Sequence, residues 1–133
     1  MVAGFTCAAV GALAPRLALL AISGTALEHA ARAAGVEVFS EIFADRAYLA
    51  DGQLVPRSRP GAVLHDPDAI ADRLVRFLDS REMPVLDGGT VRLDAHSICV
   101  HGDTPGAVAI ARAVDLSGRV LFLDEPTASL DAR

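Results

Sequence analysis

Two clusters in this chain carry side chains that could do chemistry. The first lies within Glu41 to Ala62, EIFADRAYLADGQLVPRSRPGA, where an acidic pair, Glu41 and Asp45, stands among Arg46, Arg57, Ser58 and Arg59. Carboxylates move protons or stabilise charge, and a guanidinium grips a carboxylate through two parallel hydrogen bonds. Such a set suits a small anionic or amide substrate. The second cluster is His101 and Asp103, directly after the apolar run from Ser97 to Val100. In α/β folds, ligands bind beyond the carboxyl ends of the strands, which is where His101 and Asp103 stand.

Each of these residues also has a purely structural reading. Asp103 suits the cap of a following helix, and His101 a hydrogen-bonded core histidine. Glu41 and Asp45 could form salt bridges with Arg46 or Arg57. Strand alternation nevertheless puts Glu37, Phe39, Glu41 and Phe43 on one face, and a carboxylate between phenylalanines is costly unless it is paired or used. Arg57 suits either a substrate carboxylate or the loop itself. Arg59, His29, His65 and His96 read as solvated surface residues.

The first cluster sits mostly on a long polar loop bent by Gly52, Pro56, Pro60 and Gly61. A loop of this length in a compact domain is a binding loop or a linker, and Tyr48, Leu49, Leu54 and Val55 are too apolar for a linker. The flanking elements must hold it. Residues 2–12 fit a packed helix, and Leu17 to Ile22 fit a buried strand. Ser23 or Thr25 can cap a helix that runs to about Ala34 and stops at Gly35. Val36 to Phe43 is the next strand, so the order predicts a parallel βαβ unit. Asp66 and Pro67 open a helix with an apolar stripe of Ile70, Leu74, Phe77 and Leu78. Pro84 to Leu93 reads as a hairpin turning at Asp87 to Gly89. Ser97 to Val100 is a third core strand, and Thr104 and Pro105 open a helix through about Val114.

With 133 residues, 52% of them hydrophobic, the chain can build one small α/β domain with a real core. Every basic residue is arginine, and the net charge of -5 argues against a nucleic-acid partner. Cys7 and Cys99 lie in apolar surroundings without metal-ligand spacing and read as buried thiols. The apolar N-terminal run lacks a preceding positive charge and is too short to span a bilayer. No membrane association and a cytoplasmic location are therefore expected.

The segments Glu41-Ile-Phe-Ala-Asp-Arg-Ala-Tyr48, Leu54-Val-Pro-Arg-Ser58 with Gly61-Ala62, and Ile98-Cys-Val-His-Gly-Asp-Thr-Pro-Gly-Ala107 resemble the LamB/YcsF family, the A subunit of bacterial 5-oxoprolinase. The resemblance covers residues 1 to about 113, and only the C-terminal half of a family member. It implies part of a (β/α) barrel of the glycoside hydrolase/deacetylase-like kind, truncated. It also implies ATP-dependent opening of 5-oxoproline to glutamate with partner subunits B and C. On that footing Glu41, Asp45, His101 and Asp103 are the expected catalytic residues, and Arg46, Arg57 and Ser58 the expected substrate contacts. A metal is left open, because the family's fold is akin to metal-dependent deacetylases. The alternative is a non-catalytic remnant or partner-binding fragment.

The last stretch, Arg119-Val-Leu-Phe-Leu-Asp-Glu-Pro-Thr-Ala-Ser-Leu-Asp131, resembles the Walker B strand and D-loop of ABC-transporter ATPases. There Asp124 would hold magnesium, Glu125 would polarise water and Asp131 would sit in the D-loop. Such an ATPase also needs a phosphate loop ending in lysine, and this chain has no lysine. The two resemblances meet in the helix Val108 to Ala113, which suits both families, so residues 114–133 are expected to be a fusion or truncation remnant, joined by recombination or by a sequence-assembly error. Reading the locus through codon 113 checks this: the family frame should stop near that codon. An unbroken 5-oxoprolinase-like frame in close relatives would remove the junction.

Overall fold

The structure, a computed structural model, describes residues 17–102, 106–115 and 122–124. The helix expected over residues 2–12, Cys7, Asp103, Glu125 and Asp131 lie outside the described residues. The chain opens with strand β1 (Leu19–Ile22), helix α1 (Ala26–Ala33) and strand β2 (Val38–Phe43), the expected βαβ unit. Thr25 caps α1: its hydroxyl accepts from the Glu28 N–H and donates to the Ile22 carbonyl at 2.6 Å. Gly35, at φ 73°, turns the chain out of the helix.

Helix α2 (Pro67–Ser80) follows the long loop, its first amides capped by the Asp66 carboxylate. Strands β3 (Glu82–Pro84) and β4 (Thr90–Arg92) form the expected antiparallel hairpin, turning through Gly88 and Gly89. Strand β5 (Ser97–His101), helix α3 (Ala107–Asp115) and strand β6 (Phe122–Asp124) complete the described chain. The main sheet has the order β1-β2-β5-β6, and every neighbouring pair is parallel. Strand β6 belongs to the Walker B-like stretch, and its pairing with β5 sets Asp124 opposite His101 in register. Four described strands do not close a barrel.

The two faces of the sheet differ. On one, Ala21, Val38, Ile42, Ile98 and Val100 are buried beneath Ala31 of α1, Ile70, Leu74 and Phe77 of α2, and Ile110 of α3. On the other, registry aligns Leu20 with Phe39, Ile22 with Glu41, Glu41 with Ser97, and Phe43 with Cys99. Leu20 and Phe39 remain 47% and 44% exposed there, whereas Cys99 is buried, so this face is open at its β1 side. Glu41, Phe43 and His101 all belong to it, by the alternation of strand side chains.

The carboxylate of Glu28 is buried on the helical side. Glu28 of α1 accepts from the Gly24 N–H at 2.7 Å, from Arg32 at 2.9 Å and from the Ser40 hydroxyl of β2. Burial would raise its pKa, but the Ser40, Arg32 and Gly24 hydrogen bonds outweigh that and hold it below the usual value of 4.5. A carboxyl whose folded pKa is depressed stabilises the fold fully above its unfolded pKa and loses that contribution as pH falls through the lower folded value. Thermal melts followed by circular dichroism should therefore show stability falling as pH drops below 4.5. Glu28→Ala should cost about 1–3 kcal/mol at neutral pH, because it leaves buried partners without an acceptor, and should flatten the acid dependence. An unaltered acid profile in Glu28→Ala would rule this carboxylate out as its source.

Candidate active site

The candidate site forms where β2 and β5 end side by side. As the chain leaves β2, Ala44 N–H still donates to the Cys99 carbonyl at 2.9 Å, and Leu64 N–H donates to the Asp45 carbonyl at 2.8 Å. The Asp45 side chain is only 5% exposed, and its two carboxylate oxygens lie 3.0 and 2.9 Å from Nδ1 of His101. An ionised carboxylate can only accept, so Nδ1 carries the proton in this pair. The imidazole is thereby oriented, with Nε2 on the side of the ring away from the carboxylate. The His101 ring also stacks on Phe43, with centroids 5.5 Å apart and planes 26° apart. Its side chain stays 19% exposed, enough to be reached from solvent. Glu41, two residues before Phe43 on the same face, is half-buried and accepts from the Ser97 hydroxyl at 3.2 Å.

The structure separates the arginines that sequence alone groups together. Arg46 is buried, and its guanidinium donates to the Val55 carbonyl at 2.7 Å and the Ala62 carbonyl at 3.3 Å. Arg46, one of the expected substrate contacts, here fastens the loop to itself. Around it the loop folds through isolated bridges, Arg46 with Val63 and Tyr48 with Leu54, and packs a small core of Ala47, Val55 and Ala62. Arg57 and Ser58 lie exposed in the turn after Pro56. Arg59 reaches Asp87 across the surface at 2.8 Å. Among the described residues, no three His, Cys, Asp or Glu side chains gather to hold a metal ion.

Three residues have roles that sequence reasoning missed. Tyr48 is fully buried, and its hydroxyl accepts the Phe43 N–H at 2.8 Å. Burial pushes its pKa up to about 12, so the phenol stays neutral. Arg73 of α2 donates to the Arg46 carbonyl at 2.7 Å and the Phe43 carbonyl at 3.4 Å, and lies 5.9 Å from the centre of the Tyr48 ring. Burial pulls its pKa down, opposed by Tyr48 and Asp45. The signal was present: Arg73 falls on the same helical stripe as Ile70, Leu74 and Phe77, an odd place for a cation. His96, expected to be merely solvated, accepts the Ser40 N–H at 2.9 Å through Nδ1 and meets Phe39 edge to face.

Residues 1–118 match the LamB/YcsF family. The chain belongs to that family. It is 52% identical over 107 residues to the 5-oxoprolinase A subunit of Nocardia farcinica, covering 80% of this chain and 42% of the relative. It is 49% identical over 104 residues to a 5-oxoprolinase A subunit of Pseudomonas syringae pv. tomato, covering 78% and 41%. The crystal structure of the lactam utilization protein from Thermus thermophilus superposes with a TM-score of 0.77 at 38% identity, covering 91% of this chain and 49% of that one. The LamB/YcsF chain described here thus spans about two fifths of the length of these curated relatives. Its family match contains both strand ends that bring Asp45 to His101.

Because Arg46 ties two loop carbonyls together from a buried position, its loss should be felt in the loop. Arg46→Met should destabilise the chain by about 1–3 kcal/mol, the range for stranding buried acceptors. Limited proteolysis should then cut faster within residues 50–61. Unchanged cleavage there would show that the small loop core holds without the guanidinium.

Proposed function

We propose that this chain provides the C-terminal half of a barrel like that of the 5-oxoprolinase A subunit, which opens the lactam of 5-oxoproline with ATP and partner subunits B and C in the cytoplasm. One observation carries the reading: a buried carboxylate orients a solvent-reachable imidazole at adjacent strand ends, in a stretch matched to relatives named for the 5-oxoprolinase A subunit. Lactam hydrolysis adds hydroxide to the carbonyl carbon, breaks the C–N bond and returns a proton to the leaving nitrogen. His101, held with its Nδ1–H on Asp45, has Nε2 free to take the proton from water and deliver it to nitrogen. Glu41 adds a second carboxylate on the same open face. Arg57 and Ser58, exposed on the loop, are assigned to the substrate carboxylate.

The driving force of the reaction is supplied by ATP. This chain's residues do not fit a Walker-type phosphate cradle, since it has no lysine. Nucleotide is therefore assigned to the assembly with subunits B and C, and residues 114–133 to a fused ABC-like tail without hydrolytic function. A non-catalytic, partner-binding fragment is the second reading, favoured by the exposed Leu20 and Phe39.

A graft separates the two. Residues 36–107 replace their counterpart in an intact family member, and subunits B and C are supplied. The hybrid should cleave 5-oxoproline with ATP, whereas the present chain with the same partners should not. In the hybrid, Asp45→Asn and His101→Ala should each lower turnover about 100- to 10,000-fold, the usual loss for an acid–base group. Arg57→Lys should mainly raise KM. A folded hybrid whose turnover survives both Asp45→Asn and His101→Ala would leave these loops as barrel rim only.

A further inference from the structure

We infer that Arg73 is a positioning residue: with the Tyr48 hydroxyl, its guanidinium fixes the turn from Phe43 to Arg46 and so sets the Asp45–His101 hydrogen bond. At Phe43 the chain stops running parallel to β5, yet it must deliver the next carboxylate but one to a ring on that neighbour. Three partly buried contacts fix its course. The Tyr48 hydroxyl takes the Phe43 N–H at 2.8 Å. One terminal nitrogen of Arg73 reaches the carbonyls of Phe43 at 3.4 Å and of Arg46 at 2.7 Å. Asp45 lies between those two carbonyls, so the clamp grips the backbone on both sides of it. Phe43, held by the same clamp, is also the ring on which His101 stacks. Thus both faces that fix the imidazole, the carboxylate edge and the stacked ring, hang from one guanidinium and one phenol.

Helix α2 brings Arg73 to this point because its stripe of Ile70, Leu74 and Phe77 is anchored in the core. Arginine suits the task better than lysine, since its planar nitrogen presents two hydrogens in fixed directions to two acceptors. Among the described residues, Nε of the same guanidinium is buried without a hydrogen-bond partner. The location of the side chain is therefore explained by the carbonyls that Nη2 holds. The catalytic consequence rests on the proposed role of the Asp45–His101 pair, but the positioning itself does not.

The test uses the full chain labelled with ¹⁵N-histidine and reads the Nδ1 proton of His101 by NMR. A proton shared with a carboxylate resonates far downfield, and Asp45→Asn marks the position of the lost pair. Arg73→Met should move the signal most of the way from wild type toward that of Asp45→Asn. Tyr48→Phe should move it in the same direction by less. Ile70→Ala, which opens a core cavity on the same helix, should lower the melting temperature and leave the signal in place. A wild-type signal in folded Arg73→Met would reduce Arg73 to packing and overturn the inference. Should Arg73→Met not fold, Tyr48→Phe decides: an unmoved signal there overturns it equally. A grafted hybrid inactive toward 5-oxoproline, with the signal behaving as expected, would remove the functional reading alone.

Discussion

Everything at the strand ends depends on how the backbone of β2 is satisfied once its ladder stops. A buried amide or carbonyl without a partner costs as much as a lost hydrogen bond or more, so an abrupt exit from a sheet needs substitutes. Here one comes from nearby, the phenol of Tyr48 in the loop, and the others from far along the chain: a guanidinium from α2, the Cys99 carbonyl from β5 and the Leu64 amide from the end of the loop. Satisfying these groups also fixes the direction of Asp45. The geometry of the candidate site and the stability of the turn are consequences of one arrangement.

That dependence explains what could be read from sequence. The βαβ unit was legible because its signals are local: an apolar run, Thr25 before Ala26, Gly35 after the helix, and alternation through Phe39, Glu41 and Phe43. The β3–β4 hairpin was legible for the same reason, since its two glycines adopt positive φ. Asp45 and His101 were visible as candidates because each follows a core strand, and the structure brings them into contact. Arg46 and Arg57 could not be told apart by type. Their difference is burial, which arises only when the loop closes on Val55 and Ala62. Arg73 was hidden by a stripe that otherwise reads as plain core, and the pairing of Phe122–Asp124 with β5 has no local signal at all.

The open face of the sheet gives the site its setting. Among the described residues, helices cover the side carrying Ile42, Ile98 and Val100, and Glu41, Phe43 and His101 stand on the other, where Leu20 and Phe39 meet solvent. A parallel sheet ordinarily has both faces covered, in doubly wound folds by helices and in barrels by its own other strands. The relatives extend well beyond the stretch matched here, and the strength of the Asp45–His101 contact depends on what shields it from bulk water, because an exposed ion pair is weakened by solvent.

The spacing of the partners carries a consequence for biosynthesis. Asp45 and His101 are 56 residues apart, as are Glu41 with Ser97 and Ser40 with His96. All three contacts zip together along one seam, between a strand made early and a strand made late. At typical ribosomal speeds the second strand follows the first by roughly 3 to 11 s. During that interval the β2 edge has no neighbour on its β5 side, while β1 and α1 can already pack against the other. Nascent chains are thus exposed to mispairing at the very edge that later bears the acid–imidazole pair. Slow decoding between codons 45 and 96 would lengthen that interval, and rapid decoding would shorten it.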